Sequence, residues 1–223
     1  MIASSSQRKN IEKIRTLLVS AYGHRQWKQR LDPVSELVQT ILSQNTSDVN
    51  SGKAFNSLRN TYPTWDDIIS ASETEIAYAI REGGLSKVKS RYIKNVLERI
   101  KQQQSEFDLT FLNGLPVPEA RAWLTQLPGV GMKTASCVLL FSLGMPAFPV
   151  DTHVLRVTKR LAIIHEKANA DDAHFVLESF VPAENIYEMH MLLITHGRAT
   201  CKAQRPHCDQ CVLQTICPEQ LLK

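Results

Sequence analysis

Residues 127–135 read Leu127-Pro128-Gly129-Val130-Gly131-Met132-Lys133-Thr134-Ala135 and connect one predicted helix to the next. Two glycines separated by one residue allow a tight backbone turn and present successive N–H groups at a helix N-terminus. Such a nest carries partial positive charge and suits an anion, particularly a phosphate. A plain helix–turn–helix connection, with the glycines there for steric relief, explains the same residues. The stretch by itself leaves both interpretations open.

Lys133 falls in the first turn of the second helix, where an ammonium group works against the helix dipole at a cost of ~0.3–1 kcal/mol. One interpretation is a solvated surface amine. The other is a nucleophile whose pKa is lowered by the helix N-terminus and nearby cations, and which attacks an electrophilic carbon to form a Schiff base.

Asp151 lies in the segment Val150-Asp151-Thr152-His153-Val154 and heads the next predicted helix. A carboxylate in this position is a natural N-cap. It is also suited to face a lysine across a groove, where it stabilises a developing cation or assists proton transfer. His153 is interpreted as a structural residue, since one histidine beside a cap more often packs or hydrogen-bonds than catalyses.

Apolar residues recur at three- and four-residue spacing along much of the chain, which predicts helices. The predicted helical segments are 11–21, 34–42, 88–100, 135–143, 154–163, 171–180 and 187–195, of which 135–143 is apolar nearly all round and is expected to be buried. Ser72-Glu73-Thr74-Glu75 has capping-box spacing and predicts a helix start. Without sustained period-two alternation or internal repeats, the sequence predicts an all-α fold.

The composition is that of an ordinary globular protein. Of 223 residues, 43% are apolar and 22% charged, and 26 basic against 22 acidic side chains give a net charge of +4. No apolar run approaches the ~20 residues needed to span a bilayer, and the first residues lack the apolar stretch of a secretory signal. A membrane protein is therefore excluded, while a charge of +4 permits a polyanionic partner without establishing one.

Basic residues are concentrated between positions 81 and 101. They are Arg81, Lys87, Lys89, Arg91, Lys94, Arg99 and Lys101, against Glu82 and Glu98. A solvated helix face is one interpretation of this run. The other is a phosphate-facing surface whose binding weakens steeply with salt.

Four of the five cysteines fall within 17 residues, with the spacing Cys201-x6-Cys208-x2-Cys211-x5-Cys217. An odd cysteine count without a signal sequence argues against a secreted disulfide framework and favours a reducing compartment. Four clustered thiolates hold either a zinc ion or a 4Fe–4S cluster, and the spacing leaves both possible. The fifth, Cys137, lies on the apolar helix and is interpreted as a small buried hydrophobe.

Taken together, these motifs resemble the endonuclease III family of DNA glycosylases over roughly residues 30–218. The resemblance rests on the hairpin at 127–135, on Val150-Asp151-Thr152-His153, and on the four cysteines. It extends to Leu42-Ser43-Gln44-Asn45-Thr46-Ser47-Asp48, Gly84-Leu85 and His196-Gly197-Arg198. In this order and spacing the motifs are jointly specific, although none would be alone.

The resemblance implies two helical domains with a DNA-binding groove between them. Residues 26–145 would form a six-helix barrel domain with its helix-hairpin-helix near 121–142. Residues 1–25 and 146–223 would form a second domain that carries a 4Fe–4S cluster on Cys201, Cys208, Cys211 and Cys217. The cluster would organise the C-terminal tail and hold Lys202 and Arg205 near the DNA backbone, and Lys133 and Asp151 would face each other at the groove.

The resemblance also implies how DNA would be bound. Residues Gly129, Val130 and Gly131 would grip a phosphate beside the lesion, and the damaged nucleotide would be flipped out of the duplex. Asn45, helped by Gln44, would fill the vacated space, and Leu85 would wedge the opposite strand. Many relatives have Gln at the position of Asn45. The alternatives are that Gln44 and Asn45 cap a helix end and that Leu85 belongs to the core.

The implied function is a bifunctional DNA glycosylase and AP lyase of base excision repair. It would release oxidised pyrimidines through a Schiff base at Lys133 and nick the strand by β-elimination. One competing hypothesis is a monofunctional mismatch glycosylase that removes thymine, uracil or adenine on the same scaffold; another is a non-catalytic helix-hairpin-helix protein. The expected partner is double-stranded DNA with damaged bases or abasic sites, bound by a monomer in the bacterial or archaeal cytoplasm.

Overall fold

The computed structural model describes residues 5–221, and every regular element within that span is a helix. The all-α prediction is confirmed. The α-helices are α1 (Ser5–Tyr22), α2 (Pro33–Ser43), α3 (Asp48–Thr61), α4 (Trp65–Ser70), α5 (Glu73–Ala79), α6 (Ser86–Gln104), α7 (Val117–Thr125), α8 (Met132–Phe141), α9 (Thr152–Arg160), α10 (Ala170–Phe180), α11 (Ile186–Ala199) and α12 (Pro218–Leu221). Short 3₁₀ turns lie at Arg81–Gly83, Thr110–Gly114, Ala183–Asn185, Cys208–Gln210 and Gln214–Ile216.

Helices predicted from apolar spacing are present in α1, α2, α6 and α8 to α11. The capping box is also confirmed, because Ser72 and Glu75 exchange the two expected hydrogen bonds at the start of α5. Helix α3 was missed, since only Ala54 and Leu58 of its apolar residues are buried and Val49 is exposed. In the part of the chain that the structure describes, no helix combines the length and apolar character needed to cross a membrane.

The chain forms two compact units. The middle unit comprises residues 29–145, and the split unit comprises residues 5–28 with 146–221. Helix α2 is central to the middle unit, where it packs against α3, α6 and α8. It begins sharply because Asp32 accepts a hydrogen bond from the Ser35 N–H (3.0 Å) and Pro33 occupies its first position. Its buried Glu36 is neutralised by an ion pair with Arg30.

Helix α11 organises the split unit by packing against α9 and α1. Its buried Glu188 accepts hydrogen bonds from Arg15 of α1, from His24 (2.9 Å) and from the Arg25 N–H (3.0 Å). Burial by itself raises the pKa of Glu188, but these hydrogen bonds outweigh it and hold the pKa below its ordinary value. The carboxylate therefore joins α11 to the segment that follows α1.

Candidate functional site

The glycine hairpin connects α7 to α8 and is fixed against α6. Gly129 has a φ of +77°, and a Cβ there would lie 2.6 Å from the ring of Tyr92 on α6. Both observations require glycine at this position. Val130 is buried, and its N–H donates to the Leu127 carbonyl (3.1 Å). The turn therefore packs closely on the middle unit, while Gly131 remains exposed at its tip.

The N-terminus of α8 is arranged to receive an anion. Gly131 is the N-cap, and as a glycine it supplies no side-chain oxygen to cap the first N–H groups of the helix. The helix dipole adds partial positive charge at the same point. A phosphate is the expected ligand for exposed N–H groups at such a terminus.

Lys133 lies at the second position of α8, where it is half-buried. It interacts with the thiol of Cys137 one turn further along the helix. Cys137 is buried, as predicted, and burial raises the pKa of its thiol despite the opposing influence of Lys133. The thiol is therefore neutral at pH 7.

Asp151 caps α9. Its Oδ1 accepts a hydrogen bond from the Val154 N–H at 2.7 Å, and the side chain is half-buried. The predicted N-cap is confirmed. The cap uses one carboxylate oxygen, so a capping role is compatible with a second role for the other oxygen. His153 contacts Arg156 through its Nδ1 (3.1 Å), in agreement with a structural interpretation.

The two candidate inserting residues differ in their surroundings. Gln44 ends α2, and its side-chain amide donates to the Gly129 carbonyl (3.2 Å) and to Thr134 Oγ1 (3.4 Å). Asn45 is exposed and has a φ of 53°, in the left-handed region that asparagine tolerates better than most residues. The side chain of Gln44 is therefore hydrogen-bonded to the hairpin, whereas the side chain of Asn45 extends into solvent.

Leu85 shows the same combination of exposure and left-handed backbone. Its side chain is 55% exposed and its φ is 50°. The alternative that Leu85 belongs to the core is therefore wrong. A large apolar side chain held out to solvent on a left-handed residue is costly in the free protein, and such strain is typical of functional positions.

Lys133 and the DNA-contact candidates lie in the middle unit, whereas Asp151 and the four cysteines lie in the split unit. Within the middle unit, the structure brings Gln44 to the hairpin. The facing arrangement of Lys133 and Asp151 stays a prediction.

The four cysteines, none of which forms a disulfide, line one pocket of the split unit. Val157, Leu161 and Leu213 contribute apolar walls, and Leu213 is buried. Among the described residues, no three His, Cys, Asp or Glu side chains are placed to hold a single metal ion. The four cysteines are therefore described by the pocket that they line together and not by the geometry of a metal site. Four thiol donors around one apolar pocket fit an iron–sulfur cluster, which thiolates ligate.

Two arginines of α9 support this cysteine pocket. Arg160 donates to Cys201 Sγ (3.3 Å) and to the carbonyls of Lys202 (2.8 Å) and Ala203 (3.2 Å). Arg156 donates to the Cys201 carbonyl (3.0 Å). Arg156 and Arg160 therefore fix the first residue of the cysteine loop to α9.

His196 completes the pocket. Its Nε2 lies 3.7 Å from Cys211 Sγ, and its Nδ1 lies 3.0 Å from the Tyr22 hydroxyl. Burial lowers the pKa of His196 to about 4, so the ring is neutral at pH 7. Sequence reasoning did not predict a role for Arg160 or for His196 at the pocket, because their partners lie far away in the chain.

The basic run at 81–101 is only partly a surface. Lys89 is 1% exposed, and Lys94 donates to the Ala71 carbonyl (2.7 Å). Lys101 forms an ion pair with Asp66. Arg81, Lys87, Arg91 and Arg99 remain exposed. The interpretation of the whole run as one solvated or phosphate-facing surface is wrong for Lys89.

Comparisons with known families match both parts of this site. Residues 38–183 match the HhH-GPD superfamily of base excision DNA repair proteins, and residues 201–217 match the iron–sulfur binding domain of endonuclease III. The first match covers more than half of the chain, and the second runs from the first to the last of the four clustered cysteines.

Individual relatives of known sequence or structure agree with these family matches. The chain is 38% identical over 183 residues to endonuclease III of Sulfolobus acidocaldarius, a match that covers 81% of this chain and 79% of the relative. It is 42% identical over 168 residues to a candidate DNA glycosylase of Arabidopsis thaliana, covering 74% of this chain but only 57% of the plant protein. A solved structure of a trapped endonuclease III–DNA covalent intermediate is similar with a TM-score of 0.81 at 29% identity, covering 100% of this chain and 99% of that one.

Proposed function

Because the chain belongs to the endonuclease III family of base excision repair DNA glycosylases, we propose that it is bifunctional and both releases a damaged base and cleaves the strand. The observation that carries the proposal is the position of Lys133. It is a half-buried amine at the second position of α8, two residues after the exposed Gly131 and close to the buried thiol of Cys137. An endonuclease III relative forms a covalent intermediate with DNA, which supports a nucleophile in this family.

In the proposed reaction, Lys133 Nζ bonds to C1′ of the flipped sugar while the bond between C1′ and the base breaks and the base leaves. Opening of the sugar ring gives a Schiff base between Nζ and C1′. This imine acidifies the C2′ hydrogen, and loss of that proton expels the 3′ phosphate by β-elimination. The hairpin contributes by holding a neighbouring phosphate on the N–H groups of α8, which fixes the register of the strand.

Asp151 is proposed to stabilise the positive charge that develops on the sugar as the base departs. The cap at Val154 fixes Oδ1, and the rigid carboxylate then needs no reorganisation when charge appears. The same residue therefore serves the stability of α9 and the chemistry.

The iron–sulfur centre is proposed to be a 4Fe–4S cluster held by Cys201, Cys208, Cys211 and Cys217. The chain provides four thiols around one pocket, and four cysteines are the ligand set of such a cluster. The cluster would hold the segment 201–217 in place. The role of the surrounding residues is to orient and shield it, with Arg160 donating to Cys201.

The proposed substrate is double-stranded DNA that contains an oxidised pyrimidine or an abasic site, bound by a monomer in the cytoplasm. The family membership supports DNA as the partner, and structural relatives have been solved with DNA. Exposed Lys202 and Arg205 on the cysteine loop are suited to contact its phosphates.

Borohydride trapping on duplexes with a thymine glycol or an abasic site tests the nucleophile. The wild-type protein is expected to give a covalent protein–DNA adduct, because borohydride reduces the Schiff base to a stable amine. Lys133→Gln is expected to give none. The matched control is Lys53→Gln, which removes an exposed lysine of the same unit and should trap as the wild type does. Trapping by Lys133→Gln would overturn the assignment.

A panel of duplexes, each with one lesion, tests the substrate. Release of thymine glycol in preference to thymine or uracil in a mismatch supports the oxidised-pyrimidine proposal. Preferential release of a mismatched base without strand cleavage would contradict it.

A further inference from the structure

Lys89 is a buried lysine that the proposed chemistry does not use. Its side chain is 1% exposed, although it lies in a basic segment of α6. Burying an ammonium group is costly unless it is hydrogen-bonded, and burial lowers the pKa of Lys89. The fold therefore retains a group at this position whose burial costs free energy, and the hydrogen bonds of that group indicate the reason.

The Lys89 ammonium binds two carbonyl oxygens that belong to different elements of the middle unit. Nζ donates to the Leu42 carbonyl at 2.8 Å and to the Gly83 carbonyl at 2.7 Å. Leu42 lies in the last turn of α2, where carbonyls have no helical partner, and a cation there is also favoured by the helix dipole. One side chain thus connects the end of α2 with the 3₁₀ turn Arg81–Gly83.

Each carbonyl lies just before one of the exposed, left-handed residues. Asn45 follows Leu42 by three positions, and Leu85 follows Gly83 by two. The backbone N–H of Lys89 also donates to the Leu85 carbonyl at 3.0 Å. Lys89 therefore binds the backbone just before Leu85 through its ammonium and the Leu85 carbonyl through the first turn of α6, and it links both to the end of α2 that precedes Asn45.

We infer that Lys89 is a positioning residue that sets the separation of Asn45 and Leu85, so that the first fills the gap in one strand while the second wedges the other. This inference rests on the proposed function, since it assumes that both tips enter DNA. Two side chains that enter the same duplex must stay at a fixed distance from each other, because a small displacement of either one lowers the binding affinity strongly. A buried ammonium with two carbonyl partners supplies that rigidity without contacting DNA itself.

The test compares Lys89→Met with Lys94→Met in the full-length protein. Lys94 is a matched control, because it lies on the same helix and donates to a backbone carbonyl, that of Ala71, which lies in neither α2 nor the 3₁₀ turn Arg81–Gly83. The measured quantity is the ratio of affinities for a duplex with a tetrahydrofuran abasic analogue and for an undamaged duplex. A 2-aminopurine opposite the analogue reports unstacking of that base by its fluorescence.

Lys89→Met is expected to lower the affinity ratio by about ten- to a hundredfold and to reduce the 2-aminopurine signal, while binding to undamaged duplex changes little. Lys94→Met is expected to keep both readouts. An unchanged ratio and signal in Lys89→Met would overturn the inference, and so would an equal loss in both variants, which would indicate a general loss of stability.

Two further outcomes are separable. A wild-type protein without preference for the abasic analogue would overturn the proposed function itself. If Lys89→Met is too unstable to assay, Lys89→Gln replaces it. Glutamine keeps an N–H₂ donor group on a shorter side chain, and the variant is expected to give an intermediate affinity ratio. A wild-type ratio in Lys89→Gln would then overturn the inference.

Discussion

The side-chain amide of Gln44 donates to the carbonyl oxygen of Gly129 at 3.2 Å, so the end of α2 and the glycine hairpin are directly joined. We expect two adjacent polar residues to have separate roles. Gln44 is bound to the hairpin, whereas Asn45 is exposed at a φ of 53°, and we expect Asn45 to be the residue that enters the duplex.

Asn45→Gly separates these roles, because glycine removes the side chain but accepts the positive φ without strain. The variant is expected to keep its melting temperature and lose about tenfold in affinity for an abasic-analogue duplex, since a polar contact that fills the vacated space is worth ~1–3 kcal/mol. Gln44→Ala should instead weaken binding to undamaged duplex as well. Equal affinity of Asn45→Gly and wild type in a fluorescence-anisotropy titration would contradict the assignment.

The two hairpin glycines are expected to respond differently to alanine. Gly129→Ala places a Cβ 2.6 Å from the Tyr92 ring at a φ of +77°, so we expect it to lower the free energy of unfolding by about 1–3 kcal/mol. Gly131→Ala meets nothing within 4 Å and should unfold like the wild type in urea. It should nevertheless bind DNA more weakly, because the added methyl group stands where the phosphate approaches. Normal DNA affinity for Gly131→Ala would contradict phosphate binding at this turn.

Asp151→Asn is expected to separate capping from catalysis. Asparagine caps helices about as well as aspartate, so the melting temperature should be retained, whereas Asp151→Ala should cost ~0.5–2 kcal/mol. The loss of charge should slow base release by about 10²–10⁴-fold in a single-turnover assay with little change in DNA affinity. A wild-type rate of base release in Asp151→Asn would show that the residue acts only as a cap.

Glu188→Gln is expected to make the protein less stable in a pH-dependent way. The pKa of Glu188 is held below its ordinary value, so its contribution is fully present above that ordinary value and is lost as the pH falls through the lowered one. At pH 7 the loss should be about 1–3 kcal/mol, the usual range for hydrogen bonds to a charged group. Urea unfolding at several pH values measures the difference. The exposed Glu184→Gln is the control, and a gap that widens towards low pH would contradict the mechanism.

The fold class and most of the helices follow from local sequence. Apolar spacing, the capping box at Ser72 and the N-cap at Asp151 act over a few residues, and the structure confirms them. Helix α3 was not predicted from apolar spacing because its buried face is narrow. The family-specific motifs predicted the candidate site residues, since their order along the chain is itself informative.

Other features depend on contacts that local sequence does not contain. Lys89 looks like its basic neighbours, and only its distant partner Leu42, 47 residues away, makes it a buried group. Arg160 and His196 likewise acquire their roles from cysteines 15 or more residues away. The hydrogen bond between Gln44 and Gly129 could not be predicted for the same reason, because the two residues are 85 positions apart.

Helix α9 has a consequence for how the protein depends on iron supply. Its first turn is capped by Asp151, and its last residue, Arg160, is bound to the loop of Cys201. Metal binding in such sites is coupled to folding. We expect a chain made during iron starvation to hold the loop of Cys201 less firmly against Arg160, which would loosen the helix that carries Asp151 nine residues earlier. We therefore expect the capacity to remove damaged bases to follow the availability of iron.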